Sequence, residues 1–177
     1  MDQARTNKLL KNSIFENNNS IIWFTGLPCS GKSSLAKILF KEIKNIGKKV
    51  ILLDGDILRN GINSDLSFSK SDRNEGLRRS MELSKIFFSE GYNVIVSQIS
   101  PYEKQRKKIK DNLSPNLKMI YLDCSLEKCA ERDVKGMYKK AITGEIPNFT
   151  GISDKYEIPN NADLIINTED YFIEDSS

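Results

Sequence analysis

Short uncharged runs and longer amphipathic stretches alternate along this chain. Ile21-Ile22-Trp23-Phe24-Thr25 carries no charge and predicts a strand buried on both faces. From Lys32 to about Ile46, Leu35, Ile38, Leu39 and Ile43 recur at helical spacing, and Gly47 is placed to end that helix. Val50–Leu53 reads as a second buried strand. A long helix is expected over Ser71–Glu90, opened by Ser71 or Asp72 as N-cap and closed by Gly91. Asn93–Ser97 predicts a third strand, and Pro101–Asn112 a basic helix with Pro101 near its first turn. Leu117–Leu122 follows as a fourth strand, Ser125–Arg132 as a short helix and Asp163–Ile166 as a fifth strand. Residues 133–160 hold Gly136, Gly144, Pro147, Gly151 and Pro159 and read as a mobile segment. Residues 1–20 are polar, with Asn17, Asn18 and Asn19 in a row, and read as an arm with one short helix around Leu9 and Leu10. Strands alternating with helices imply an α/β fold, a parallel sheet of about five strands covered on both faces. Ligands on such sheets bind beyond the carboxyl ends of the strands.

Composition narrows the chemistry. At 177 residues the chain suits one domain, and a net charge of +3 is too small to argue for nucleic acid. No apolar run approaches the roughly 20 residues that span a bilayer, and the first residues lack the apolar stretch of a secretory leader. An odd count of three cysteines, Cys29, Cys124 and Cys129, fits a reducing, cytoplasmic setting better than a disulfide framework. There is no histidine, which removes the commonest general base and the commonest zinc ligand together. Carboxylates, lysines, arginines, hydroxyls and an oxygen-held metal must carry any reaction.

Gly26-Leu27-Pro28-Cys29-Ser30-Gly31-Lys32-Ser33 matches G-x-x-x-x-G-K-[ST] in full, with an apolar strand before it and an amphipathic helix after it. The glycines let backbone N–H groups turn around phosphate oxygens, and the helix aims its positive end at the same place. Gly26 through Ser34 are therefore the expected ATP-binding residues: Lys32 on the β- and γ-phosphates, Ser33 on magnesium, with Ser34 next in line. A plain strand-to-helix turn is the bland reading of the same glycines. Cys29 sits at a variable loop position and reads as a spacer. The whole is expected to be a P-loop NTPase-type domain over 21–177 with a mobile lid at about 133–152. After the second strand come Asp54-Gly55-Asp56 and Arg59. One carboxylate is expected to act on the metal side, where Ser33 and Asp54 are the candidates, and the other to accept the acceptor's proton. Which of Asp54 and Asp56 is the base stays open, and a capped turn is the alternative.

At these residues the chain resembles the adenylylsulfate (APS) kinases. The resemblance runs from Trp23 to Thr168: Trp23-Phe24-Thr25-Gly26-Leu27, Asp54-Gly55-Asp56 with Arg59, Phe68-Ser69 with Asp72-Arg73, Ile99-Ser100-Pro101-Tyr102, Arg132-Asp133 with Lys135-Gly136, Tyr138-Lys139-Lys140-Ala141, Gly144-Glu145 and Asn148-Phe149-Thr150-Gly151. It implies ATP-dependent phosphorylation of the ribose 3'-hydroxyl of adenosine 5'-phosphosulfate, with magnesium, in a homodimer. It also implies that Phe68 and Phe149 sandwich the acceptor's base and that Arg59 and Arg73 hold its phosphosulfate. Ile99, Ser100 and Thr150 fall among the acceptor contacts, and Arg132, Lys135 and Lys139 close over the phosphates as a lid. Ser100 matches a family serine associated with a phosphoryl-carrier role. It reads here as binding or positioning, because Lys32 and magnesium support direct in-line transfer. Lys32, Asp54, Asp56 and Ser100 are thus the catalytic candidates. Lys107, Lys108 and Lys110 read as a solvated helix face, while Arg78 and Arg79 are open between surface pairing and substrate contact.

The pattern breaks at several positions. Gly76 stands where the family usually has Asn, Glu103 where a basic residue is common, Val134 where Pro is usual and Ile142 where Arg is usual; Pro28-Cys29-Ser30 replaces a more common Ser-Gly-Ser or Ser-Gly-Ala. A same-family kinase for another nucleotide, such as cytidine diphosphoramidate, is therefore a second reading. A non-catalytic nucleotide-binding module is a third, disfavoured by the presence of Lys32, Ser33, Asp54 and Asp56 together. No nucleic-acid or membrane partner is expected.

Overall fold

The computed structural model describes residues 19–169, so the expected N-terminal helix around Leu9 and Leu10 lies outside the described residues. In chain order the elements are β1 (Ile21–Thr25), α1 (Lys32–Asn45), β2 (Val50–Asp54), α2 (Gly55–Arg59), α3 (Lys70–Ser89), β3 (Asn93–Ser97), α4 (Glu103–Leu113), β4 (Leu117–Asp123), α5 (Leu126–Glu131), α6 (Met137–Ile142) and β5 (Leu164–Asn167). The sheet has five strands in the order β2-β3-β1-β4-β5, and every neighbouring pair is parallel.

Strand alternation divides the core in two. Ile22 and Phe24 point to one face, where α1 covers them with Ala36, Leu39 and Ile43, and Ile95, Ile120 and Leu122 join from the neighbouring strands. Ile21 and Trp23 point to the other face, beneath Leu77 and Met81 of α3 and Ile109 and Leu113 of α4. Each such side chain contributes about 1.5–3 kcal/mol on full burial. The central strand β1 is buried throughout, which is why its sequence shows an unbroken apolar run and no alternation.

Three expectations change at element ends. Helix α3 begins at Lys70, not Ser71, because Ser69 is extended and its Oγ accepts from Asp72 N at 3.1 Å. Pro101 stands before α4 and not in its first turn; Tyr102 is the N-cap, and its N–H donates to Gln105 Oε1 at 3.3 Å. Helix α2 was hidden by Asp-Gly-Asp turn chemistry: Asp54 caps it by accepting from Asp56 N at 3.0 Å. A helix that the pattern did not announce also appears inside the 133–160 segment: α6, with Tyr138 and Ala141 buried.

Register brings the strand ends to one edge. Phe24 and Asp54 both pair with Ser97, and Thr25 pairs with Tyr121. The loop after β1 therefore sits between the β2–β3 ends on one side and the β4–β5 ends on the other. Among the described residues, no helix is long and apolar enough to cross a membrane.

Candidate functional site

The turn from β1 into α1 is built for close approach. A Cβ on Gly26 would lie 2.7 Å from Ser30 Oγ and 2.8 Å from Leu122 O, so no larger residue fits. Gly31, at φ 91°, turns the chain into α1, whose first turn holds no acidic residue. The helix end thus keeps its positive character for an anion. Cys29 adopts φ 60° without being glycine, a conformation that costs about 1–2 kcal/mol. Burial and the nearby Asp133 carboxylate push its thiol pKa up, which leaves it a poor nucleophile.

Lys32 is folded into this loop, its Nζ donating to Leu27 O at 2.5 Å and Ser30 Oγ at 3.4 Å. Burial lowers its pKa to about 8. Ser33 Oγ donates to Asp54 Oδ2 at 2.7 Å and lies 3.3 Å from Ser97 Oγ. These are hard oxygen donors beside a phosphate-type loop, the chemistry magnesium prefers. Magnesium commonly takes only one or two protein oxygens and fills its shell with phosphate and water, so the Ser33–Asp54 pair fits it. Ser34 follows in the first turn of α1.

The two aspartates are differently placed. Asp54 is buried, with one carboxylate oxygen on Ser33 and the other on the N–H of Asp56. The Asp56 side chain is 71% exposed, and its Oδ2 pairs with Lys135 Nζ at 2.6 Å. Lys135 is thus brought across from the loop after α5 to the residues that follow β2. Arg132 reaches the β5 exit, where Nη2 donates to Thr168 O at 2.6 Å and Glu169 O at 3.0 Å. Thr168 Oγ1 in turn donates to Ser30 O at 3.0 Å, so Arg132 stands beside the loop. Lys139 is exposed on the outer face of α6, away from the buried Tyr138 and Ala141.

Beyond α2 lies a cationic, aromatic group. The Arg59 guanidinium covers the Phe68 ring at 4.1 Å, and Arg73 stands 5.9 Å from the same ring. Desolvation, and then the charge of Arg73, lowers the pKa of Arg59. Two guanidinium groups held together in this way create a potential that an anion relieves. Arg73 also ties two segments together: Nε donates to Phe68 O at 3.0 Å, Nη1 to Thr150 Oγ1 at 2.8 Å and Nη2 to Asn148 O. Phe68 is 43% exposed, but Phe149 is 7% exposed and meets Tyr138 edge-on at 4.9 Å. The expected pair of open aromatic faces is therefore reduced to one, because Phe149 completes the small core formed by Cys124, Cys129, Tyr138 and Ala141.

Ser100 is 2% exposed, at φ 48°, and its Oγ accepts from Trp23 Nε1 at 2.9 Å. Such a hydroxyl is not presented to a phosphoryl group. Ile99 is half-buried, and its carbonyl accepts from Thr25 Oγ1 at 2.6 Å. Arg78 and Arg79 resolve to pairing within and beside α3: Arg78 with Glu75, Arg79 with Glu75 and Asp65. Lys107 is exposed and paired with Asp111, while Lys110 is half-buried and paired with Asp163. Gly76 is neighboured by Asn63, whose Nδ2 would be 3.4 Å from an added Cβ, and by Leu66 at 3.5 Å.

Sequence reading missed Arg106, Asp154 and Tyr156. Arg106 shares a helix face with Ile109 and Leu113, and that spacing was the available signal that it turns inward. Tyr102 OH donates to Asp154 Oδ2 at 2.5 Å, and Tyr156 OH lies 2.8 Å from Thr25 Oγ1. No local pattern could have announced these distant pairs.

A family model described as Adenylylsulphate kinase matches residues 18–167. An adenylyl-sulfate kinase of Clostridium kluyveri is 42% identical over 166 residues, covering 94% of this chain and 83% of that protein. One from Thermodesulfovibrio yellowstonii is 47% identical over 150 residues, covering 84% of this chain and 75% of that protein. Among solved structures, the Mycobacterium tuberculosis APS kinase in complex with AMPPNP and APS is similar at TM-score 0.82 and 38% identity, covering 89% of this chain and 92% of that one.

Proposed function

The chain belongs to the adenylylsulphate kinase family, and from that premise we propose that it transfers the γ-phosphoryl group of ATP to the ribose 3'-hydroxyl of adenosine 5'-phosphosulfate, giving 3'-phosphoadenosine 5'-phosphosulfate. The observation that carries this reading is the juxtaposition of two half-sites across Asp56. On one side are the phosphate loop with Lys32 and the Ser33–Asp54 oxygens; on the other are Arg59, Phe68 and Arg73.

Gly26 to Ser34 receive the polyphosphate through backbone N–H groups and the α1 end. Lys32, whose pKa burial lowers to about 8, would be kept protonated by a bound polyphosphate and would stabilise charge on the transferring group. Ser33, with Asp54 beside it, is the place for magnesium, which supplies charge neutralisation at phosphate oxygens. Asp56 is the better-placed base: it is exposed and separated from the metal-side carboxylate by Gly55 alone, whereas both oxygens of Asp54 are engaged. Arg59 and Arg73 take the phosphosulfate and Phe68 one face of the base. The buried hydroxyl of Ser100 argues for a positioning role and for direct transfer. We place the lid expected at 133–152 over 133–148, since Thr150 is buried and held by Arg73 of α3. Within it, Lys135 exchanges Asp56 for phosphate oxygens.

The relatives do not favour the cytidine diphosphoramidate alternative, being adenylyl-sulfate kinases. We place the protein in the cytoplasm, in keeping with its three free cysteines. The expected assembly is a homodimer, and light scattering on the purified protein measures it. The functional test is direct: purified protein, ATP, magnesium and adenosine 5'-phosphosulfate should give a product phosphorylated at the 3'-position. Failure to form it, with intact ATP binding, would overturn this reading.

A further inference from the structure

Arg106 of α4 is fully buried, at 0% exposure, which is rare for an arginine. Its guanidinium fills no simple gap in the core. Nη1 donates to Ser100 O at 2.8 Å, and Nη2 donates to Glu157 O at 2.5 Å and to Glu103 Oε2 at 2.7 Å. Its plane sits against Tyr156, 5.6 Å from the ring centroid. Nε has no partner. Two of its acceptors are the main-chain carbonyls of Ser100 and Glu157, which belong to segments far apart in sequence.

On the functional reading above, those segments border the acceptor: Ile99, Ser100 and Thr150 are expected acceptor contacts, and Arg73 donates to Thr150 Oγ1. The first is the turn after β3, carrying Ile99 and Ser100, held at φ 48°. The second runs from Phe149 and Thr150 to Glu157. Around the guanidinium the two segments are sewn together: Glu157 N donates to Pro101 O at 2.8 Å, Glu103 N donates to Glu157 Oε2 at 2.6 Å, and Tyr102 OH donates to Asp154 Oδ2. Tyr156 extends the contact to Thr25, the last residue of β1 before the phosphate loop. A buried cation is an expensive way to fill a helix–sheet interface, since an apolar side chain of similar size often stabilises as well or better. What an apolar side chain cannot do is fix two carbonyls at one distance from each other.

We propose that Arg106 is a positioning residue for the nucleotide acceptor, setting the separation between the 99–101 turn and the 149–157 segment. The proposal rests on the functional reading above and concerns the same site. Glu103, at a position where the family usually has a basic residue, supplies the carboxylate that keeps the guanidinium charge compensated at the helix surface.

The test is steady-state kinetics on Arg106→Met and Arg106→Lys, with each substrate varied in turn and thermal unfolding followed in parallel. In Arg106→Met, KM for adenosine 5'-phosphosulfate should rise at least tenfold while KM for ATP stays within twofold. Arg106→Lys retains the charge and one carbonyl bond and should recover at least threefold of that loss. An acceptor KM within twofold of wild type in a folded Met variant overturns the proposal, as does a parallel rise in both KM values or a lowered Tm with both unchanged. If Arg106→Met does not fold, Arg106→Lys decides alone: its acceptor KM must rise with ATP KM unaffected, and wild-type values overturn the proposal. A wild-type protein with no turnover of adenosine 5'-phosphosulfate would overturn the functional reading itself, a result separable from wild-type activity with unmoved variants.

Discussion

At Lys32 the demands of folding and of the proposed catalysis pull against each other. Burial lowers its pKa from 10.5 to about 8 in the folded chain. Between these values the unfolded chain binds more protons, so this group makes stability rise with pH; below about 8 the cost of burying the charged form is fully present. The gap amounts to about 3 kcal/mol. Lys32→Met should therefore be more stable than wild type at pH 7, with the difference shrinking toward pH 10, as urea unfolding at both pH values would show. A constant difference would mean that the ammonium is not desolvated. Phosphoryl transfer in Lys32→Ala should fall at least about a hundredfold, the scale of losing one donor to a developing charge. Asp56 offers the converse case. Its ion pair with Lys135 is exposed on both sides, so it contributes little to stability. Asp56→Asn should leave unfolding and ATP affinity nearly unchanged while turnover drops sharply; equal losses in ATP binding and turnover would point to a structural turn. Lys32, Ser33, Asp54 and Asp56 were all legible in the sequence because their spacing is fixed by one loop and one strand end. The division of labour between the aspartates was not, since it depends on which carboxylate the Ser33 hydroxyl reaches.

At the scale of elements, periodicity located all five strands and the longer helices, and it failed where local chemistry was ambiguous. Ser69, Ser71 and Asp72 are all good caps, and only the extended backbone at Ser69 selects the first. Asp54-Gly55-Asp56 reads equally as a turn or a capped helix start, and the structure makes it α2. Gly76 is a glycine inside α3 with an ordinary helical φ, and a Cβ there would meet Asn63 and Leu66 at 3.4 and 3.5 Å, normal contact distances. Gly76→Ala should thus gain up to about 1 kcal/mol from helix propensity, seen as a Tm rise of roughly 2–4 °C; a fall would mean that Asn63 cannot yield. The lid is the least legible element, because its glycines suggested freedom while Tyr138 anchors it. That side chain is 2% exposed, and its hydroxyl donates to Pro28 O at 2.9 Å, so α6 is tied to the phosphate loop itself. Hydrogen exchange without nucleotide should be fastest at 143–148, slower at Tyr138 and Ala141 and slow through 149–157. Binding of both nucleotides should slow exchange across 133–148. Protection at 143–148 equal to that of β1 in the empty protein would rule out a closing lid.

At the scale of the whole molecule, the sheet brings together residues that no window of sequence connects: Arg73 with Thr150, Lys135 with Asp56, Thr25 with Tyr156. Acceptor choice depends on this long-range assembly. Only one open aromatic face, Phe68, stands at the site, and stacking accepts any base. Discrimination must come from polar edges of the 98–100 and 148–150 segments and from the Arg59–Arg73 pair. Adenosine 5'-phosphosulfate should accordingly be phosphorylated at least about tenfold more efficiently than a cytidine 5'-diphosphate derivative, a difference of about 1.4 kcal/mol at the transition state. Gly76→Asn sharpens the comparison, because its amide enters the space beside Asn63 and Leu66. If the acceptor is adenosine 5'-phosphosulfate, kcat/KM for it should be unchanged or improved, since the resemblance puts an Asn at this position. If the site is shaped to a different nucleotide, the added amide should crowd that nucleotide and damage the native reaction. Measuring kcat/KM for both acceptors in both proteins separates these outcomes. Efficient transfer to the cytidine acceptor by the wild type, with little to adenosine 5'-phosphosulfate, would overturn the assignment of the acceptor while leaving the phosphate loop and its chemistry in place.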